Sequence, residues 1–221
     1  MRATHTAPSA PWLVRMISRT AADPSGWFGR LLGSIWWRET APVNDHALRL
    51  LDVEPGWHVV ELGFGPGRTI RHLVRDGARV TGVDVSAQMV RLAARHNRAA
   101  VRAGAVTLHH GDGTALPVAD GQADAAVTVH TIYFWDDPEA VTAELGRVLR
   151  PGGRLVLGMR DPDLPLTDRA DPAVYQRLPL DRIRRLLDAA GFDHIAIERD
   201  PDAAPEAAWI TARRPTGEAT A

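Results

Sequence analysis

Val59-Val60-Glu61-Leu62-Gly63-Phe64-Gly65-Pro66-Gly67 is an apolar run that breaks into a glycine-rich turn, and the stretch after it, Thr69 to Arg75, carries Ile70, Leu73 and Val74. A short apolar run ended by glycines has the form of a buried strand, and spacings of three and four are those of a helix, which Gly77 closes. The local reading is strand, tight turn, helix. Gly63 and Gly65 let the backbone turn sharply and approach a ligand closely. On its own such a turn is weak evidence, since any tight strand-to-helix connection can use glycines. Asp84 strengthens it. This residue ends the next strand, about 20 residues on, where a carboxylate can accept both ribose hydroxyl protons. An adenosine-containing ligand at the carboxyl ends of the strands is the expectation.

Two details separate the possible ligands. The dinucleotide fingerprint places its third glycine where this chain has Arg68, and the third glycine here comes one residue early, at Gly67. Glu61 sits just before the turn. A negative charge there opposes a pyrophosphate but suits a cationic ligand bearing an amino group and a sulfonium.

Working outward, the same alternation continues. Trp57–Leu62 is the first strand, Arg79–Val83 the second, Ala105–His109 the third and Ala123–Val129 the fourth. Ser86 is placed to cap a helix carrying Met89, Val90, Leu92 and Ala93. Asp137-Pro138 opens another through Val141, Leu145, Val148 and Leu149, and Pro151-Gly152-Gly153 turns the chain into a fifth strand, Arg154–Gly158. Leu180–Ala190 reads as a helix stopped by Gly191, followed by strands at Phe192–Glu198 and Ala207–Ala212. Strands separated by single helices imply parallel βαβ units. The predicted fold is α/β: a Rossmann-like, doubly wound, mostly parallel seven-stranded sheet with an antiparallel edge strand. Residues 1–55 are read as a helical N-terminal extension or cap, 56–214 as the ligand-binding domain and 215–221 as a flexible tail.

Composition excludes whole classes of chemistry. All 26 basic residues are Arg, so Schiff-base catalysis on an enzyme lysine is ruled out. There is no Cys, which removes disulfides, thiol nucleophiles and thiolate metal sites together and suits the reducing cytoplasm. The formal net charge of −1 gives no footprint for nucleic acid, and the N-terminus has no apolar stretch long enough for a signal or membrane span. A cytoplasmic protein acting on a small molecule, without nucleic acid or a membrane span, is expected. His109 and His110 point to opposite faces of a strand, so no metal is assigned.

The run VVELGFGPG resembles motif I of the class I S-adenosylmethionine-dependent methyltransferases. GVDVS, with Asp84, looks like their acidic position after strand two, and His110-Gly-Asp-Gly-Thr-Ala-Leu-Pro117 resembles the segment after strand three. Asp124–His130 and ELGRVLRPGGRLVLG are similar to their strand four and their approach to strand five. The resemblance covers residues 55–160 and is nearest to the ubiquinone- and menaquinone-type, small-molecule branch. It implies S-adenosyl-L-methionine as cofactor and S-adenosyl-L-homocysteine as product. Glu61, Gly63, Gly65, Gly67, Asp84, Val85, Met89, Asp112, Gly113 and His130 are the implied cofactor positions, with Asp112 at the adenine amino group and Gly113 offering a backbone N–H.

The residues after strand four face the transferred methyl in that fold. His130 is the first candidate, as base or positioning group, because its ordinary pKa lies near working pH; its bland role is a backbone contact to the methionine end of the cofactor. Tyr133 is the second. Tyr133, Phe134 and Trp135 can wall an aromatic or cationic substrate, although packing beneath a cap suits some of them, Phe134 first. Asp136 and Asp137 read as helix caps. Arg160 can hold a substrate carboxylate or simply make a surface ion pair. Trp36 and Trp37, in a segment containing four of the seven Trp residues, serve as a lid over substrate, as core packing or as a homodimer contact. Three functions follow: methyl transfer to N, O or C of a small molecule, a non-catalytic adenosyl-ligand module, and a nicotinamide oxidoreductase, the last disfavoured by Arg68 and Glu61. A base-modifying enzyme is disfavoured too, since His130-Thr-Ile-Tyr stands where such enzymes carry an Asp/Asn-Pro-Pro-Tyr run.

Overall fold

Strand β1, His58–Leu62, is the axis of the molecule because its side chains alternate between two cores. Val60 and Leu62 join one apolar cluster, and Val59 joins the other. The structure is a computed structural model that describes residues 40–165 and 175–217.

After β1 come α2 (Arg68–Arg75), β2 (Arg79–Asp84), α3 (Ala87–His96), α4 (Arg98–Arg102) and β3 (Val106–His110); α1 (Ala41–Leu51) precedes β1. Then follow β4 (Ala123–Val129), a 3-10 turn at Ile132–Phe134, α5 (Pro138–Val148), β5 (Leu149–Arg160), α6 (Leu180–Ala189), β6 (Asp193–Glu198) and β7 (Ala207–Arg213). One seven-stranded sheet runs in the order β3-β2-β1-β4-β5-β7-β6. Strands β1 to β5 are parallel, β7 runs antiparallel to β5, and β6 closes the edge antiparallel to β7. The expected parallel sheet with an antiparallel pair at one edge is present, with β7 inserted between β5 and β6.

The helices cover both faces, as parallel strands require. Ile70 and Leu73 of α2 and Met89 and Ala93 of α3 pack against one face with Val43, Ala47 and Leu51 of α1. Val141, Leu145 and Val148 of α5 and Ile183, Leu186 and Leu187 of α6 pack against the other. Helix α1 falls in the stretch read as an N-terminal extension, yet it is fastened to the sheet: the Trp209 indole of β7 donates to Val43 O at 3.0 Å. Residues 1–39, with Trp36 and Trp37, lie outside the described residues, so the lid and dimer readings find no counterpart among them.

One element differs from expectation. Pro151-Gly152-Gly153 is not a turn that precedes β5 but a bulge inside it. Ala123 of β4 faces Leu149 and Ala125 faces Arg154, so the extra residues loop out between the two pairings. Gly152 takes φ +75°, and its N–H donates to Arg214 O at 2.8 Å. The helix therefore hands over directly to the strand at Leu149. No described helix is long and apolar enough to cross a membrane.

Candidate cofactor site

Sheet order reverses between β1 and β4, and the crevice beyond their carboxyl ends is where an open α/β sheet binds ligands. The glycine loop stands at that point, and its three glycines do different work. All have positive φ: 74° at Gly63, 52° at Gly65 and 81° at Gly67. A Cβ on Gly63 would lie 2.1 Å from Thr131 Cγ2, and one on Gly67 would lie 2.6 Å from Asn97 Nδ2 and 2.9 Å from Ala93 Cβ. Those two are packing glycines. A Cβ on Gly65 would meet nothing within 4 Å, so this glycine alone leaves the loop surface open to an approaching molecule.

Asp84 ends β2 as expected and is buried. Its carboxylate ties the loop to the next turn, Oδ2 accepting from Gly65 N–H at 2.8 Å and Oδ1 from Ser86 N–H at 2.9 Å. Each oxygen has a second lone pair, so ribose hydroxyls can share the group with the loop.

Glu61 carries the most informative atom of the site. The residue is 5% exposed, and its Oε2 has no hydrogen-bond partner. Burial pushes its pKa up to about 8, against a hydrogen bond from Thr69 and with the Asp84 charge adding to the rise. A buried carboxyl with an orphaned oxygen is costly unless something pairs with it.

Around this centre the other expected cofactor positions divide. Val85 is 47% exposed, the exposed large hydrophobic side chain among the described residues, and offers an apolar surface to a flat base. Asp112 is exposed, its Oδ1 accepting from the Thr114 N–H at 2.9 Å and hydroxyl at 2.7 Å, and these bonds hold its pKa below the usual carboxylate range. Gly113 is buried at φ +92°, where a Cβ would lie 2.9 Å from Leu62 Cδ2. Met89 is 2% exposed and packs in the α1–α3 core.

His130 follows β4 with φ +59°, and its backbone N–H donates to Gly158 O at 2.8 Å. Its Nδ1 lies 3.2 Å from the Tyr133 hydroxyl, which in turn accepts from the backbone N–H of Arg160. Burial, aided by the Arg160 charge, lowers the His130 pKa to about 4, and burial drives the Tyr133 phenol above its ordinary range. At neutral pH both are uncharged. Tyr133 also lines a cleft with Met159, Arg160, Asp161, Leu164 and Arg177.

Two expected substrate contacts are corrected. Trp135 is 4% exposed and belongs to the α5–α6 core, because the 3-10 turn carries it inward; Phe134, expected to be the packed one, is only partly buried. The Arg160 guanidinium is paired with Glu206 and donates to Pro165 O, so it makes the surface ion pair rather than standing open. Asp161 pairs with Arg199. Asp137 caps α5 as expected, accepting from Ala140 N–H at 2.9 Å.

Sequence reading named Thr131 only as one of the residues after strand four, without its packing against Gly63, and missed Asn97 and Tyr175. Asn97 Nδ2 donates to Gly67 O at 3.0 Å and pins the loop, and the Tyr175 ring packs on Tyr133 and Phe134 with centroids 5.6 and 5.0 Å away. An Asn closing a helix is a visible signal for Asn97; nothing local announces Tyr175.

Fold and site together define an α/β protein with a glycine loop, an acidic strand end and a buried, unpaired carboxyl gathered at the switch point of its sheet. Comparison with known proteins narrows this. The Methyltransferase domain family matches residues 60–157. A demethylmenaquinone methyltransferase of Tropheryma whipplei is 30% identical over 181 residues, covering 69% of this chain and 73% of that protein. The chain belongs to the class I S-adenosylmethionine-dependent methyltransferase family. Among solved structures, the 4+2 cyclase SpnF matches with TM-score 0.72 and 21% identity over 96% of this chain and 98% of that one. An S-adenosylmethionine dependent methyltransferase from Mesorhizobium loti matches with TM-score 0.65 and 21% identity over 78% and 98%. Both likenesses concern the fold. The chain spans 41%, 57% and 62% of the length of three other curated relatives.

Proposed function

We propose that this protein transfers a methyl group from S-adenosyl-L-methionine to a nucleophilic O, N or C atom of a small molecule. The observation that carries the reading is the orphaned Oε2 of buried Glu61 beside a glycine loop whose middle member faces open space. A neutral or anionic ligand would leave that carboxyl uncompensated; an ammonium pairs with it. In this reading Asp84 takes the ribose hydroxyls, Val85 one face of the adenine, Asp112 its amino group, and the backbone at Gly65 the methionine portion; the bonds from Gly65 and Ser86 N–H to Asp84 and the exposure of Val85 support it. When bound, the cofactor supplies an electrophilic methyl: the acceptor lone pair forms the new bond to carbon while the carbon–sulfur bond breaks, and sulfur keeps the electron pair. The chain's own contribution is alignment and exclusion of water, which the packed turn at His130–Trp135 supports. The lack of cysteine suits a cytoplasmic location.

Calorimetric titration tests this directly. S-adenosyl-L-methionine and S-adenosyl-L-homocysteine should bind saturably, NADH should not, and Glu61→Gln should weaken both sulfur ligands. Tight NADH binding with no response to either sulfur compound would leave only the fold standing.

A further inference from the structure

The hydrogen-bond chain behind His130 decides what this imidazole can do. The backbone N–H of Arg160 has one proton and points it at the Tyr133 oxygen. Tyr133 must then place its own hydroxyl proton, and the acceptor within reach among the described residues is His130 Nδ1, at 3.2 Å. The reverse arrangement, with Nδ1–H donating to the phenol, would leave a largely buried hydroxyl proton with no acceptor among the described residues, which is costly. Nδ1 is therefore the unprotonated nitrogen, and Nε2 carries the ring proton with no partner among the described residues. The groups facing the ring are Tyr133 from the 3-10 turn and the Arg160 guanidinium from β5, with Tyr175 beyond Tyr133. None of them is an anion that would favour an imidazolium.

We propose that His130 is a fixed hydrogen-bond donor through Nε2–H, locked in that tautomer by Tyr133, and that the site takes acceptors whose attacking oxygen arrives as an oxyanion, a phenolate or enolate. The assignment rests on the methyltransferase reading. An imidazole with Nδ1 filled and Nε2 protonated has no lone pair to take a proton from an O–H acceptor. The cleft on the Tyr133 side offers no substitute: its carboxylate, Asp161, accepts from Arg199 Nε at 2.5 Å and Nη2 at 3.2 Å. What the neighbourhood does offer is positive: Arg177 lines that cleft, while the Arg160 guanidinium beside it is taken up by Glu206 and Pro165 O. A fixed N–H donor with a cation nearby stabilises an oxyanion and gives a neutral phenol nothing comparable. His130 would touch the acceptor; Tyr133 acts through it as a positioning residue.

Nitrogen-15 spectra of ring-labelled full-length protein test the tautomer without any turnover, the His130 signals being those lost in His130→Gln. The Nε2–H form should persist from pH 8 to pH 5, and Tyr133→Phe should replace it with a mixture of both tautomers. An Nδ1–H ring, or an imidazolium at pH 7, would overturn the assignment on the unmodified protein alone. The acceptor class is read with 4-nitrophenol on protein saturated with S-adenosyl-L-homocysteine. The phenolate should bind about tenfold more tightly than the phenol, the scale of one charge-assisted hydrogen bond. His130→Gln, whose amide still donates, should keep much of that preference, and His130→Ala should lose it. Equal binding, preference for the phenol, or no binding of either form counts against the oxyanion site. Calorimetry with S-adenosyl-L-homocysteine separates the failures: if it binds while the ring result is wrong, only this inference falls, and if it does not bind, the methyltransferase reading falls.

Discussion

At the scale of single residues, Glu61 shows how a binding site is kept at the expense of the free protein. Moving its pKa from an ordinary 4.5 to about 8 by burial corresponds to roughly 1.4 kcal/mol per unit of differential interaction. The ionised side chain thus weakens the unliganded fold at alkaline pH. Glu61→Gln keeps the shape and the capacity to bond Thr69 but cannot ionise. We expect that variant to be more stable than the parent at pH 8 by a few (~2–4) kcal/mol in urea unfolding. It should also bind S-adenosyl-L-methionine about 100-fold more weakly, because a buried ammonium is left without its anion. A gain in stability with a loss of affinity is a pairing that a packing residue would not give. The acidic residue itself was legible in the sequence from its place before the glycines. Its orphaned oxygen was not, since that depends on which side chains α2 and β2 bring around it.

At the scale of elements, the loop between β1 and α2 reads as one motif in the sequence but is three separate constraints in space. Gly67→Ala pushes a Cβ to within 2.6 Å of Asn97 Nδ2 and 3.2 Å of Ala93 Cα, at φ +81°. The backbone of α3 cannot yield easily there, so we expect a loss of roughly 2–3 kcal/mol in stability, measured by chemical denaturation. Gly65→Ala meets no atom within 4 Å and should cost only about 1 kcal/mol of left-handed backbone strain. Its larger effect should fall on cofactor affinity, because the added methyl occupies the open side of the loop. Equal stability losses in the two variants would refute this division of labour. The same distinction explains what could be read in advance. Strand and helix periodicity placed β1 to β4, α5 and α6 within a residue or two, and Gly191 marked the end of α6, because these signals are local. The partner of Gly63 is Thr131, on a turn far along the chain, and the inward path of Trp135 is set by the 3-10 turn meeting α5 and α6. The bulge at Pro151-Gly152-Gly153 looked like a plain turn because its pairing with β4 resumes only at Arg154. Tertiary contact decides all three.

At the scale of the whole molecule, Glu61 and His130, two buried groups that titrate between pH 4 and 8, set opposite limits on stability against pH. His130 has its pKa depressed from 6.5 to about 4, chiefly by burial, so the unfolded chain binds a proton that the folded one refuses. Its contribution is present above pH 6.5 and is lost as pH falls toward 4. Glu61 works the other way. Its folded pKa is raised, the folded chain holds the extra proton, and stability is lost as pH rises from 4.5 through about 8. Between pH 4.5 and 6.5 the two slopes oppose and nearly cancel. Below that range the hydrogen-bonded carboxylates Asp45, Glu144 and Asp161, held below their ordinary range by Arg68, Arg147 and Arg199, add to the acid loss. Above pH 6.5 only Glu61 of these groups still titrates, and ~1.4 kcal/mol per unit over that span gives a fall of roughly 2 kcal/mol by pH 8. The unliganded protein should therefore show a plateau near pH 4.5–6.5 and a decline on the alkaline side. Saturating S-adenosyl-L-homocysteine should remove that decline, since its ammonium pairs with the Glu61 carboxylate and lets it ionise without penalty. Its binding should also release a proton near pH 7, visible as a dependence of the calorimetric heat on the ionisation enthalpy of the buffer. Thermal midpoints that fall equally from pH 6.5 to 8 with and without the ligand would mean that Glu61 does not meet the ammonium group.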